Sequence, residues 1–367
     1  MVRFLQTSDV HLGARHLLLG ERAADQRERQ FAAFEQAIEL AVMDKVDLFL
    51  VAGDLFDTSV APVTSVERVA KAIGRLVGAG IRTVILPGDL DAPGRASLYH
   101  VHDLAGLAGA PAEGDWITVL SEAAPDRLIE PLGVFVTSRF PVPDAPQDGW
   151  RIALIHRATR PRDDEIAAAG VDHVAIGGPH RAEVGRAGNV SWGASGVPEL
   201  VDEETTTVGE ILIGTLDDAA ARPIVDRFRV GRSRFERMIV DLTDVTDRAR
   251  IDDAIAARAD PDLILEVRIE GALSDDLDLD PASIETTRAA GFLRLIVRDD
   301  TVPVLTPAPL PPADTIAGAF IRDLEARIAA AEAEASGREA DPGPATELRG
   351  ALRLGRRLLL AGRELER

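Results

Sequence analysis

Six side chains have the donor chemistry of a divalent-metal centre: Asp9, His11, Asp54, Asp89, His156 and His180. Each stands just past a short apolar run, in Ser8-Asp9-Val10-His11-Leu12-Gly13, Ala52-Gly53-Asp54-Leu55-Phe56-Asp57, Pro87-Gly88-Asp89-Leu90-Asp91, Leu154-Ile155-His156 and Gly177-Gly178-Pro179-His180. Mixed imidazole and carboxylate ligands suit Mn, Fe or Zn rather than Ca or Mg, because imidazole is a borderline donor. Two such ions about 3.5 to 4 Å apart can clamp a phosphate and activate a water for in-line attack. A carboxylate such as Asp54, reaching both ions, is what that pair requires. Read singly, the same residues have plainer explanations: Asp9-Val10-His11 is also a capped turn, and His156 is also a hydrogen-bonded core histidine. Asp57 and Asp91 read as supporting or helix-capping groups, and His16, His100, His102 and His173 as surface or structural ones, with His100 or His102 able to swing toward the site.

The elements that must carry these groups follow from periodicity. Leu48 to Ala52 is apolar without alternation, as in a parallel strand covered on both faces. Arg3 to Thr7 and Arg82 to Leu86 are its expected neighbours, and helices over Ala23 to Lys45 and Thr64 to Gly78 connect the three. The result is β-α-β-α-β with a carboxylate beyond each strand, at the strand ends where open α/β sheets place ligand chemistry. Further strands are predicted at Trp116 to Leu120, Gly133 to Ser138, Arg151 to Ile155, Val174 to Ile176, Val190 to Trp192, Thr207 to Ile213 and Pro223 to Phe228. From about Arg237 the pattern turns to a small α+β module. The proline-rich stretch Pro303 to Pro312 reads as a semi-rigid linker, and helices are predicted over Asp314 to Ala335 and Ala345 to Arg363.

Composition narrows the class. At 367 residues the chain has room for about two to three domains. No apolar run approaches the roughly 20 residues of a membrane helix, and the amino terminus has no signal-peptide pattern, so a cytoplasmic location without membrane contact is expected. The absence of cysteine removes disulfides and thiolate ligands. A net charge of −20 argues against a protein that coats nucleic acid by itself, while leaving room for a local basic groove or a basic partner.

The motifs at 8–13, 52–57, 87–91, 154–156 and 175–180 resemble those of the calcineurin-like metallophosphoesterases, and within them the SbcD-type DNA-repair exonucleases. The resemblance spans about residues 1 to 240, with Gly231 to Leu242 similar to the end of the nuclease domain. It implies a four-layer α/β/β/α sandwich at 1–236, a small α+β capping domain at 237–300, the linker at 301–313 and carboxyl-terminal helices at 314–367. It also implies metal-dependent phosphodiester hydrolysis, with manganese the expected ion and Fe²⁺ or Zn²⁺ as alternatives. DNA, an SbcC-like coiled-coil ATPase docked by the carboxyl-terminal helices, and a homodimer are the partners it suggests.

Carried over residue by residue, the resemblance assigns Asp9, His11, Asp54 and His180 to one ion, with Asp54 shared, and Asp89 and His156 to the second. It also exposes departures. Asp89 stands at a family asparagine, Gly178 at a family histidine ligand, and Leu90 at the family histidine thought to steady the scissile phosphate or protonate the leaving group. Losing that acid could lower the rate by about 10² to 10⁴. One firm ion site, a weaker second site and reduced activity are therefore expected. The competing readings are a catalytically lapsed scaffold subunit of the ATPase complex and a small-molecule phosphodiesterase.

Overall fold

The computed structural model describes residues 1–92, 97–146, 148–202, 208–217, 224–242, 248–273, 279–303, 311–312, 314–335, 348 and 351–352. Strands β1 (Val2–Thr7), β2 (Leu48–Ala52), β3 (Arg82–Leu86) and β4 (Ile117–Val119) run parallel and adjacent, with helix α1 (Ala23–Met43) connecting the first two and α2 (Val63–Gly78) the next. Two short helices, α3 (Leu98–Val101) and α4 (Leu104–Leu107), lie between β3 and β4. A second sheet is built from β5 (Asp126–Ile129), β6 (Val134–Thr137), β7 (Trp150–His156), β8 (His173–Gly177), β9 (Glu183–Ala187) and β10 (Val190–Ala194), in the order β5-β6-β7-β8-β10-β9, with α5 (Asp163–Ala167) between β7 and β8. The chain then returns to the first sheet through β11 (Glu210–Leu216) and β12 (Ile224–Arg229), completing the order β12-β11-β1-β2-β3-β4.

Three apolar layers explain why strands without alternation are stable here. Leu48, Leu50 and Ala52 of β2 point into a core shared with Ile152 and Leu154 of β7, Val134 and Val136 of β6, and Ala175 of β8. Phe49 and Val51 point the other way, onto Phe34 and Ile38 of α1 and Val69 and Ile73 of α2. The second sheet's outer face packs Ala153, Ile155, Val174 and Ile176 against Ile166 of α5 and Trp192 of β10. Helices, sheet, sheet and helix thus form the four expected layers. With β2 wholly buried, truncating Leu50 to alanine would cost about 2–5 kcal/mol.

The chain divides into two compact units, one of residues 1–238, 258–266 and 285–296, the other of 239–257, 267–284 and 297–367. In the second, Ile321, Leu324 and Leu352 form an apolar cluster with Phe320, Ile328 and Leu348 beside it, and residues 316–335 are helical. Most of the expected proline-rich linker, and the expected helix over 345–363 apart from three residues, lie outside the described residues. Among the described residues no helix is long and apolar enough to cross a membrane.

The strand ends matter most for chemistry. Parallel pairing aligns Thr7 with Val51, Ala52 with Leu86, and His156 with Gly177. The loops that follow β1, β2 and β3 therefore emerge together, as do those that follow β7 and β8.

Candidate metal centre

The loop after β1 is laced to the loop after β2. Asp9 N–H donates to the Gly53 carbonyl, His11 N–H to that of Asp54 and Leu12 N–H to that of Leu55, each at 3.0 Å. Asp9, His11 and Asp54 all adopt left-handed backbone conformations, with φ of 51°, 50° and 45°, a region in which Asp and His are enriched but most residues are strained. The loop after β3 is held by Asp91, a wholly buried carboxylate that accepts from Gly88 N–H at 2.7 Å, Phe56 N–H at 3.1 Å and the Tyr99 hydroxyl at 2.7 Å. Burial pushes its carboxyl above the usual range, partly offset by those hydrogen bonds.

Five of the six sequence-derived candidates converge at these ends. Donor atoms of Asp9, His11 and His180 lie within 4.8 Å of one another, and so do those of Asp9, Asp54 and His156. The carboxylate common to both groups is Asp9, where the family pattern places Asp54. Asp89 is in neither group: its side chain is 87% exposed, with an oxygen 3.9 Å from His156 Nδ1.

Each ligand-competent side chain is oriented by a partner. His11 Nδ1 faces Asp57 at 3.1 Å, and its Nε2 is buried without a hydrogen-bond partner among the described residues. His180 Nδ1 faces Asp202 at 2.7 Å. A carboxylate on Nδ1 is the usual way to present the other ring nitrogen to an ion. The hydrogen bond to Asp202 holds the His180 imidazole above its ordinary range, against the opposing effect of burial. Asp54 accepts from Leu90 N–H at 2.8 Å. Asp9 accepts from Ser8 Oγ at 2.6 Å and, on both oxygens, from Gly178 N–H at 3.0 Å. The rings of His11 and His180 meet edge-on with centroids 5.3 Å apart.

His156 reaches across the sheet-to-sheet gap over Gly53. A Cβ at Gly53, where φ is 99°, would lie 2.1 Å from His156 Cδ2, so only glycine fits. His156 Nε2 is 3.0 Å from Asp9 and 3.4 Å from Asp54, while its buried Nδ1 has no hydrogen-bond partner among the described residues. Burial opposes charge on this ring, but the hydrogen bond to Asp9 and the charges of Asp9, Asp54 and Asp89 outweigh it and raise its pKa.

The family departures take physical form here. Leu90 is 45% exposed and only its backbone touches Asp54. Gly178 has φ of 100°, and a Cβ there would sit 2.3 Å from the Arg157 carbonyl oxygen. The space for a side chain at 178 is therefore filled by backbone. Of the remaining histidines, His173 is buried, with Nε2 donating to Gln6 Oε1 at 3.1 Å and Nδ1 facing Ser191 Oγ at 2.9 Å, which makes it structural. His16 bonds Gln30 at 2.9 Å, and His100 is exposed. Asp202 carries no signal in the sequence: it stands in Glu199-Leu200-Val201-Asp202 with no spacing that relates it to His180.

A donor set of three imidazoles and two carboxylates, with an orphaned buried imidazole nitrogen, fits a borderline divalent ion. Residues 2–175 match the model of the calcineurin-like phosphoesterase family. Among curated proteins, the chain is 28% identical over 274 residues to a DNA double-strand break repair protein Mre11 of Aeropyrum pernix, covering 66% of this chain and 64% of that protein. It is 32% identical over 125 residues to the protein of the same description from Saccharolobus solfataricus, covering 34% of this chain and 30% of the relative. A third, from Thermoplasma acidophilum, is 36% identical over 88 residues, 24% of this chain and 22% of the relative. The matched region thus falls short of two thirds of these relatives' length.

Proposed function

We propose, from the match of residues 2–175 to the calcineurin-like phosphoesterase model, that the chain belongs to this family and is a metal-dependent phosphodiesterase of the DNA-repair exonuclease type. The observation that carries the reading is the convergence of Asp9, His11 and His180, and of Asp9, Asp54 and His156, on one patch of strand ends. We assign Asp9, His11, His180 and Asp54 to the firm ion and His156, with Asp89 turning inward, to a weaker second one, with manganese the expected metal and iron or zinc as alternatives. When bound, such ions supply Lewis acidity toward a phosphoryl oxygen and lower the pKa of water.

The chain's own groups do the rest. Asp57 and Asp202 fix the ring orientation of His11 and His180, so that each offers Nε2. The backbone N–H groups of Leu90 and Gly178 pin the Asp54 and Asp9 carboxylates. No side chain at 90 can donate a proton to the leaving oxygen, so turnover is slow unless water or another group substitutes. The relatives' description as break-repair proteins supports DNA as substrate, and the proposed domain plan keeps a nuclease domain at 1–236, a capping domain at 237–300 and a carboxyl-terminal segment at 314–367. We assign that segment to an SbcC-like coiled-coil ATPase, and include a cytoplasmic location and a homodimer in the same reading.

A lapsed scaffold is the second reading, favoured by Leu90, Gly178 and the outward-pointing Asp89. Manganese-dependent hydrolysis of bis(4-nitrophenyl) phosphate, abolished in Asp54→Asn, separates the two. Activity equal in protein and variant, or none in either, would leave only the scaffold.

A further inference from the structure

We infer that Arg157 grips a backbone phosphate flanking the scissile one, in a cleft that opens beside the metal centre; the inference rests on the phosphodiesterase reading above. The cleft has a volume of about 740 Å³ and is lined by Gly88, Asp89, His100, Ser121, His156 and Arg157 among others. That is the size of a site for a nucleotide-sized ligand. Since it contains His156 and Gly88, anything seated in it touches the elements that hold the candidate ligands.

Arg157 is the residue immediately after His156. Its backbone N–H donates to the Gly177 carbonyl at 2.9 Å, tying the end of β7 to that of β8. Its guanidinium lies over the Phe140 ring, 5.4 Å from the centroid, and among the described residues its N–H groups make no hydrogen bond. Among the described residues it makes no ion pair.

Four arginines close to it in sequence are paired instead. Arg139 pairs with Asp126 and Asp144, Arg151 with Asp172, Arg160 with Asp163, and Arg162 with Asp164. A chain with 61 acidic and 41 basic residues has ample carboxylate to neutralise its arginines, and for these four it does so. The cleft's own acids are Asp89 and Glu122, and neither is within ion-pair distance of the guanidinium. An unneutralised planar fork beside a phosphoryl-transfer centre has the geometry for bidentate contact with phosphate.

A few local arginine contacts, rather than a basic surface, would then reconcile the net charge of −20 with a polyanionic substrate. The test measures binding of a fluorescent single-stranded oligonucleotide with phosphorothioate linkages to the full chain in manganese buffer, over a range of salt concentrations. Arg157→Gln should weaken binding about tenfold, as expected for a lost charged hydrogen bond, and reduce the slope of log affinity against log salt by about 0.7. Arg157→Lys should restore the slope, since it keeps the charge. An unchanged slope and affinity in Arg157→Gln would overturn the assignment. So would a wild-type chain that hydrolyses bis(4-nitrophenyl) phosphate yet binds no oligonucleotide, a result that leaves the metal-centre reading standing. Loss of hydrolysis with the Arg157 slope effect intact would instead overturn the catalytic reading alone.

Discussion

Restoring the family side chain at position 178 should fail, because backbone already fills the space it would need. A Cβ at Gly178 would meet the Arg157 carbonyl oxygen at 2.3 Å, its carbon at 2.5 Å and its nitrogen at 3.0 Å, all backbone atoms that cannot rotate aside. A non-glycine residue at φ of 100° costs about 1–3 kcal/mol, and forcing atoms into filled space costs about another 1–3 kcal/mol. Against this stands a gain of about 0.4–1 kcal/mol from the stiffer unfolded chain. Gly178→Ala should therefore lose about 3 kcal/mol, which for a domain of this size lowers the Tm by about 6–12 °C. Because Gly178 N–H holds both oxygens of Asp9 at 3.0 Å, the same shift should loosen the carboxylate common to both ligand groups. Thermal unfolding followed by circular dichroism, with manganese content measured on the same samples, reads both effects. A Gly178→Ala protein that melts within about 1 °C of wild type, or a Gly178→His protein that takes up an additional ion, would refute the reasoning.

Three further outcomes are expected. Leu90→His places a proton donor where the side chain is already 45% exposed and only the backbone is engaged; stability should change by no more than about 0.5 kcal/mol, while hydrolysis of a generic diester rises at least about tenfold, the low end for a positioned acid. Asp57→Asn removes the charged partner of His11 Nδ1 and should weaken manganese binding by about 10- to 100-fold in calorimetric titration; unchanged affinity would mean that His11 does not face the ion through Nε2. His173 is buried and its pKa is lowered to about 3 by desolvation. The unfolded chain binds that proton near pH 6.5 and the folded chain does not, so this group makes stability fall as pH drops from about 6.5 toward 3, by roughly 1.4 kcal/mol per unit. Urea midpoints across that window should show the fall, and His173→Gln should show a shallower one; parallel profiles would place the effect elsewhere.

The β-α-β-α-β half was legible because its strands are largely buried and α2 carries a strong apolar stripe. Leu48 to Ala52 and Arg82 to Leu86 fall on the observed strands. Predicted ends elsewhere differ by a few residues: β11 begins at Glu210, a polar residue that pairs in the ladder with Arg229, while the expected start at Thr207 lies outside the described residues. Two strands escaped notice because their composition is polar and partly exposed, β5 with Asp126 and Arg127, and β9 with Glu183, Gly185 and Arg186. Ladder pairing to Val134–Thr137 and Val190–Ala194 makes them strands, and that information resides in their partners. At the centre, the ligand-bearing motifs were readable since each closes an apolar run. Asp202 was not, because its relation to His180 is created by folding alone. Nor could the outward turn of Asp89 be foreseen, as it depends on a side-chain rotation that no spacing records.

Asp9, His11 and Asp54 at positive φ have a consequence for how such a centre could decay. Each holds a conformation that glycine would adopt with less strain, so the fold carries a standing penalty of about 1 kcal/mol or more at every one of the three. A lineage released from the need for an ion would gain stability by letting these positions drift to glycine, whereas one that still relies on it must tolerate the tension.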